Sequence, residues 1–164
     1  MAELTNLEEK LAEVTGLAMA AEAAGGKVTK LTEKQDADLV ATLQTMAKEA
    51  VETAQRCEKV AGTFEGKKTA ILDEARTVKT KGADMMATYL DEDSDALDGF
   101  EFLTMAEAGE VGHWSVLKTL NEKARHAQIA SLVAWALPIQ EGHLKGAMAG
   151  SVLLAGSEDP NDPA

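Results

Sequence analysis

Apolar residues recur at intervals of three and four along most of the chain, the spacing that places side chains on one face of an α-helix. The first series follows a capping-box pattern, Thr5-x-x-Glu8, and predicts a helix from Asn6 to Ala24 that ends at Gly25-Gly26. A second box, Thr32-x-x-Gln35, predicts the start of helix 2, whose apolar stripe ends near Gly62. These two segments indicate a helical hairpin at the start of the chain.

Three further helices follow by the same criteria. Helix 3 carries a thin apolar stripe from Ile71 to Tyr89, and the acidic segment Asp91 to Asp98 after it predicts a solvated loop. The box Asp98-x-x-Glu101 predicts the start of helix 4, which runs to about Ala124. Helix 5 is predicted from Ile129 to about Leu154, with a bend where a proline interrupts it.

Five helices with short connections predict an all-α fold, and we expect an antiparallel up-and-down four-helix bundle with an extra N-terminal helix. Only three prolines occur in 164 residues, and two of them lie in the last five, so little interrupts the helical pattern. Residues 1–156 are predicted to form one domain, and residues 157–164 a disordered acidic tail.

The net charge of the chain limits the classes of partner that it is expected to bind. A formal net charge of -12 argues against binding to nucleic acid or to an anionic membrane, since both require basic patches. No stretch approaches the roughly 20 apolar residues of a membrane span, and the N-terminus has no apolar run of a signal peptide. Cys57 is the single cysteine, which excludes a disulfide framework and fits a reducing compartment. We expect a soluble, cytoplasmic protein.

Helix 4 places acidic side chains within its apolar face. On a helical wheel, Phe100 and Trp114 fall within about 40° of Glu107, and Glu110 lies about 60° from it. His113 is on the flank, at about 120°, one turn beyond Glu110. The predicted core face of helix 4 therefore contains two glutamates.

Helix 5 repeats this feature. Gln140 and His143 fall within about 40° of Ile129 on its wheel, whereas Glu141 points to the opposite side. If helices 4 and 5 fold back on each other near residue 125, Glu110 comes level with Gln140, and Glu107 with His143. The sequence thus predicts that five polar side chains, those of Glu107, Glu110, His113, Gln140 and His143, fall in one layer of the bundle, with a register good to a few residues.

A divalent cation would explain why a core accepts such a layer, because an unpaired buried carboxylate costs several kcal/mol and two close carboxylates repel. Glu110-x-x-His113 and Gln140-x-x-His143 resemble the Glu-x-x-His motifs of the ferritin-like superfamily, with one carboxylate replaced by an amide. The resemblance implies a site for iron or manganese with oxygen or peroxide chemistry. The candidate metal ligands are Glu107, Glu110, His113, Gln140 and His143.

Other interpretations of these residues remain open. The polar layer could serve only to specify packing in a structural or interaction bundle, or His113 and His143 could hold a haem. Single glutamates of helices 1 to 3 could add ligands, the candidates being Glu22, Glu58 and Glu74. Glycines at every fourth position of helix 5, from Gly142 to Gly150, form a smooth ridge that could be the seam of a homodimer.

Overall fold

The computed structural model describes residues 3–162 and contains five helices in that range. They are α1 (Asn6–Thr32), α2 (Ala37–Ala61), α3 (Lys68–Tyr89), α4 (Ala96–Ala124) and α5 (Ala127–Ala155). Residues 3–162 contain no strand, which confirms the all-α prediction, and none of these helices has the length and apolar character needed to cross a membrane. Residues 157–162 form turns, and 163–164 lie outside the described residues, so disorder of the tail stays a prediction.

The first helix extends beyond its predicted end. The capping box of Thr5 and Glu8 is confirmed, but α1 continues through Gly25-Gly26 to Thr32, so the predicted end at Ala24 was wrong. Gly25 is buried, and a Cβ atom added there would lie 3.3 Å from the Cβ of Ala47 in α2. The small residue permits close approach of two helices and does not end the helix.

Two other predicted caps lie in the wrong place. The N-cap of α2 is Asp36, whereas the hydroxyl of Thr32 donates to the carbonyl of Val28 inside α1. The N-cap of α4 is Asp95, which forms a reciprocal box with Asp98. The acidic segment therefore supplies carboxylates to the start of α4, and the helix begins three residues earlier than the Asp98 box predicted.

The neighbour relations of the helices identify a different peripheral helix. Within residues 3–162, α1 packs against α2 and α4, and α5 packs against the same two helices, so that these four helices form a closed ring of neighbours. Helix α3 packs mainly on the outside of α1. The prediction that the N-terminal helix is the extra one was therefore wrong, because α1 belongs to the ring and α3 lies outside it.

Two apolar clusters fill the interior. The Trp114 cluster contains Leu11, Ile71, Leu117 and Ile129 as large members. The Phe100 cluster contains Val28, Leu43, Leu103 and Leu154. Along α4 the two clusters are separated by the segment between Leu103 and Trp114, and along α5 by the segment between Ala136 and Ala147.

The glycine ridge of α5 is partly used inside the molecule. At Gly150 an added Cβ atom would overlap the ring of Phe100, and at Gly146 it would lie 3.5 Å from the Cγ2 of Thr42. Only at Gly142 is the space open to 4 Å. The ridge is therefore not one continuous outer surface, and the homodimer stays a prediction.

Candidate functional site

Four of the five predicted site residues are buried in the segments of α4 and α5 that separate the two apolar clusters. Glu107 and Glu110 are each 3% exposed, Gln140 is 1% exposed and His143 is 5% exposed. Glu141 is exposed, as its wheel position predicted. We call these four buried side chains, Glu107, Glu110, Gln140 and His143, the polar layer.

Contacts along α4 and α5 fix the register of the layer. Asn121 exchanges two hydrogen bonds with the backbone of His126 at the turn, and the Nδ1 of His143 lies 3.6 Å from the Oε2 of Glu107. Further along, Phe100 packs against Gly150. The two helices therefore run in opposite directions, with Glu107 facing His143 as the sequence predicted.

His143 connects three helices through its imidazole. Its Nε2 forms a hydrogen bond of 2.6 Å with the Oε2 of Glu49 in α2, and its Nδ1 faces Glu107 in α4. Burial lowers the pKa of His143, but the carboxylates of Glu107 and Glu49 outweigh this effect, so the pKa is raised above its usual value. The imidazole thus favours its charged form between two carboxylates.

Glu110 has the opposite environment, with no cation among the groups that shift its pKa. Burial, followed by the negative charge of Glu107, raises the pKa of Glu110 well above its usual value. The pKa of the Cys57 thiol is raised to about 12, mainly by burial. A hydrogen bond with Thr15 lowers this pKa, and the negative charge of Glu110 raises it. Glu110 therefore belongs to the same buried region as side chains of α1 and α2.

Several buried polar atoms of this region have no hydrogen-bond partner within residues 3–162. They are the Oε2 of Glu107, the Oε2 of Glu110, the Oε1 of Gln140 and the Nε1 of Trp114. Buried polar groups are normally paired, and an unpaired group costs about 1–3 kcal/mol. Three of the four atoms are acceptors, so the layer has unused capacity to accept from a donor or a cation.

His113 does not join the polar layer. Its side chain is 40% exposed, and its Nδ1 lies 2.8 Å from the Oε2 of Glu13 in α1, beside Lys10. Burial raises the pKa of Glu13, but Lys10 and His113 outweigh burial, and the net effect is a lowered pKa. The Glu110-x-x-His113 motif is therefore split between the core and the surface, and the two imidazoles proposed for a haem are held by carboxylates of different helices.

Sequence reasoning missed Glu49 and two buried threonines, Thr15 and Thr53. Thr15 and Thr53 lie within the apolar faces of α1 and α2, so their positions on the helical wheel could have identified them as buried.

Glu49 lies on the flank of the α2 stripe, about 80–100° from its centre. Glu58 lies at a comparable angle on the opposite flank. Only the position of α5 selects Glu49, since Glu58 is exposed. Of the other candidates, Glu22 is exposed and Glu74 is half-buried.

The polar layer can be reached from two sides. A cavity of about 360 Å³ between α1, α3 and α4 is lined by Glu107, Glu110 and His113 together with apolar residues. A groove of about 440 Å³ between α2 and α5 is lined by Glu49 and His143. Glu49 and His143 therefore line the groove on one side of the molecule, and Glu107 and Glu110 line the cavity on the other side.

Within residues 3–162, no three side chains of His, Cys, Asp or Glu are grouped so that they could hold a metal ion. No protein-family model, curated protein or solved structure matches the chain.

Proposed function

We propose that the polar layer binds one divalent cation of the iron or manganese class. The observation that supports this proposal is the set of three buried acceptor oxygens without a partner in residues 3–162, on Glu107, Glu110 and Gln140. Carboxylate and amide oxygens are natural ligands of hard cations, and a cation would compensate two carboxylates that burial otherwise penalises. Iron or manganese at such a site would supply redox chemistry with oxygen or peroxide.

His143 acts as a positioning residue in this proposal. Its Nε2 is bonded to Glu49, and its Nδ1 lies 3.6 Å from the Oε2 of Glu107, so the imidazole orients the Glu107 carboxylate by charge attraction. His113 is left out of the ligand set because it pairs with Glu13 on the surface. We further propose that the ring of α1, α2, α5 and α4 is an antiparallel up-and-down bundle of the ferritin-like type, with α3 added outside.

Elemental analysis of the purified protein, with the melting temperature measured with and without chelator, tests the cation. We expect near-stoichiometric iron or manganese and a chelator-sensitive melting temperature, because a cation that binds only the folded state stabilises it. The double variant Glu107→Gln with Glu110→Gln should lose both properties. Its matched control is Glu101→Gln with Glu122→Gln, two exposed carboxylates of the same helix, which should keep them.

The absence of bound metal, together with no rise in melting temperature on adding iron or manganese to the apo protein, would contradict the cation proposal. Equal metal content in the Glu107/Glu110 double variant would contradict the assigned ligands. Both results come from the same set of preparations.

A structural role for the polar layer is the second candidate. The observation that favours it is the series of contacts from Glu49 through His143 to Glu107, which joins α2, α5 and α4 without any metal. Buried polar contacts of this kind can select one packing arrangement over others. In this case the chelator should leave the melting temperature unchanged, while His143→Ala lowers it in metal-free protein.

A further inference from the structure

The cavity between α1, α3 and α4 has an apolar body. Its walls include Leu17 of α1, Val78 and Met85 of α3, and Phe102 and Leu103 of α4. Small residues, among them Ala20, Ala21 and Gly109, leave its volume of about 360 Å³ unfilled. This volume is at the lower end of the range of small-molecule pockets, which are typically apolar with a few polar groups at fixed places.

The polar groups of this cavity are concentrated at one end and are acidic. Glu107 and Glu110 are each 3% exposed, and each has a carboxylate oxygen without a hydrogen-bond partner in residues 3–162. The Nδ1 of His143 lies 3.6 Å from that oxygen of Glu107, which is beyond hydrogen-bond distance. Lys81 and His113 also line the cavity, but Lys81 is exposed and His113 is bonded to Glu13. A molecule that enters therefore meets apolar walls and then two buried acceptors.

We propose that this cavity binds a small primary alkylamine, with its ammonium group at Glu107 and Glu110 and its alkyl chain between α1 and α3. An ammonium has three donors and a positive charge, which match two carboxylates with free oxygens. A ligand carboxylate would be repelled by the Glu107 carboxylate, and an alcohol would satisfy hydrogen bonds without compensating charge. The inference goes beyond the proposed metal site, because it uses the same carboxylates but requires the cavity and needs no metal.

Titration calorimetry of chelator-treated protein with hexylamine tests this inference. We expect saturable one-to-one binding, with hexanol and hexanoate binding at least about tenfold more weakly, because neither supplies a positive charge. The double variant Glu107→Gln with Glu110→Gln should also lose about tenfold or more in affinity for hexylamine.

Two glycines of α4 provide a matched pair for the cavity itself. A Cβ atom meets nothing within 4 Å at either Gly109 or Gly112, but only Gly109 lines the cavity. Gly109→Leu should therefore weaken hexylamine binding at least about tenfold by filling the space, whereas Gly112→Leu should leave the affinity unchanged. Circular dichroism melts of both variants verify that they fold.

Equal affinity for hexylamine in Gly109→Leu and in the unchanged protein would overturn the inference, and so would equal affinities for hexylamine and hexanol. Absence of hexylamine binding would overturn it as well. Binding of Mn²⁺ to the unchanged protein and to the same variants distinguishes failure of the amine site from failure of the proposed metal site. If Mn²⁺ binds and hexylamine does not, the metal site stands and the amine site is wrong, and the reverse result rejects the metal site alone.

Discussion

Glu110 is a buried side chain whose ionisation the fold opposes. Its carboxyl group has its ordinary pKa of 4.5 in the unfolded chain, but burial and the charge of Glu107 raise the pKa in the folded protein. As pH rises above 4.5, the unfolded chain releases this proton before the folded protein does. The contribution of Glu110 to the free energy of unfolding therefore falls over that window and becomes constant above the pKa of the folded state.

The substitution Glu110→Gln should remove this loss of stability at higher pH. We expect the metal-free variant to melt a few degrees higher than the unchanged protein at neutral pH, and to differ little from it below pH 4.5, the ordinary pKa of the group. Urea unfolding across this pH range measures the difference. An equal pH dependence in the two proteins would show that Glu110 ionises normally in the folded state.

His143 stabilises the layer by pairing with carboxylates on both sides. His143→Ala should reduce the free energy of unfolding by about 3 kcal/mol, since it leaves the Glu107 carboxylate buried without its cationic neighbour. Because the pKa of His143 is raised, its contribution is present at low pH and is lost as pH rises through the pKa of the folded state. Urea unfolding of the metal-free protein on both sides of that transition measures it.

Glu49→Gln serves as the control for this variant. The side chain of Glu49 is 36% exposed, so its amide form can still bond to His143 or to water. We expect a loss of about 1 kcal/mol or less. A loss as large as that of His143→Ala would mean that the bond between α2 and α5, and not the Glu107 pair, carries the stabilisation.

At the scale of elements, the glycines of α5 differ in what surrounds them. Gly150→Ala should destabilise the protein by about 2–3 kcal/mol, because the added methyl group would overlap the ring of Phe100. Gly142→Ala, in the same helix but with open space, should instead stabilise it by up to about 1 kcal/mol through helix propensity. Thermal and urea unfolding measure both, and changes of the same sign would contradict the packing of α4 against α5.

The helices themselves could be predicted from local patterns, but their ends less well. Apolar spacing located all five helices, since it reflects the face that each helix buries. Gly25-Gly26 is a stop signal in isolation, yet α1 passes through it because Gly25 lies against Ala47 of α2. The cap predicted at Thr32 was misplaced because α1 continues to that residue, where the hydroxyl donates to the carbonyl of Val28. These choices depend on neighbours that the local sequence does not specify.

At the scale of the whole molecule, α3 is the least embedded helix. Its buried residues are Ile71 and Ala75, both in its first half, whereas Val78 to Tyr89 contributes no buried residue of that helix. Amide hydrogen exchange should therefore be faster in 78–89 than in the segments of α4 and α5 around the polar layer. Mass-spectrometric exchange measures this, and equal protection in both regions would show that α3 unfolds only with the ring.

The sequence by itself determined that the chain is helical and that four polar side chains occupy the apolar faces of two successive helices. Both follow from local periodicity, which needs no knowledge of distant contacts. The sequence also predicted the register of these two helices to within a few residues, because the turn between them is short.

Only the tertiary structure decided which other groups meet this layer. Glu49 and Glu58 are comparable on the wheel, and the position of α5 selects Glu49 as the partner of His143. His113 of α4 pairs with Glu13 because α1 packs beside α4 in the ring. The cavity beside Glu107 and Glu110 likewise arises from small residues on separate helices. Such contacts join residues far apart in the chain, and their geometry depends on how whole helices pack.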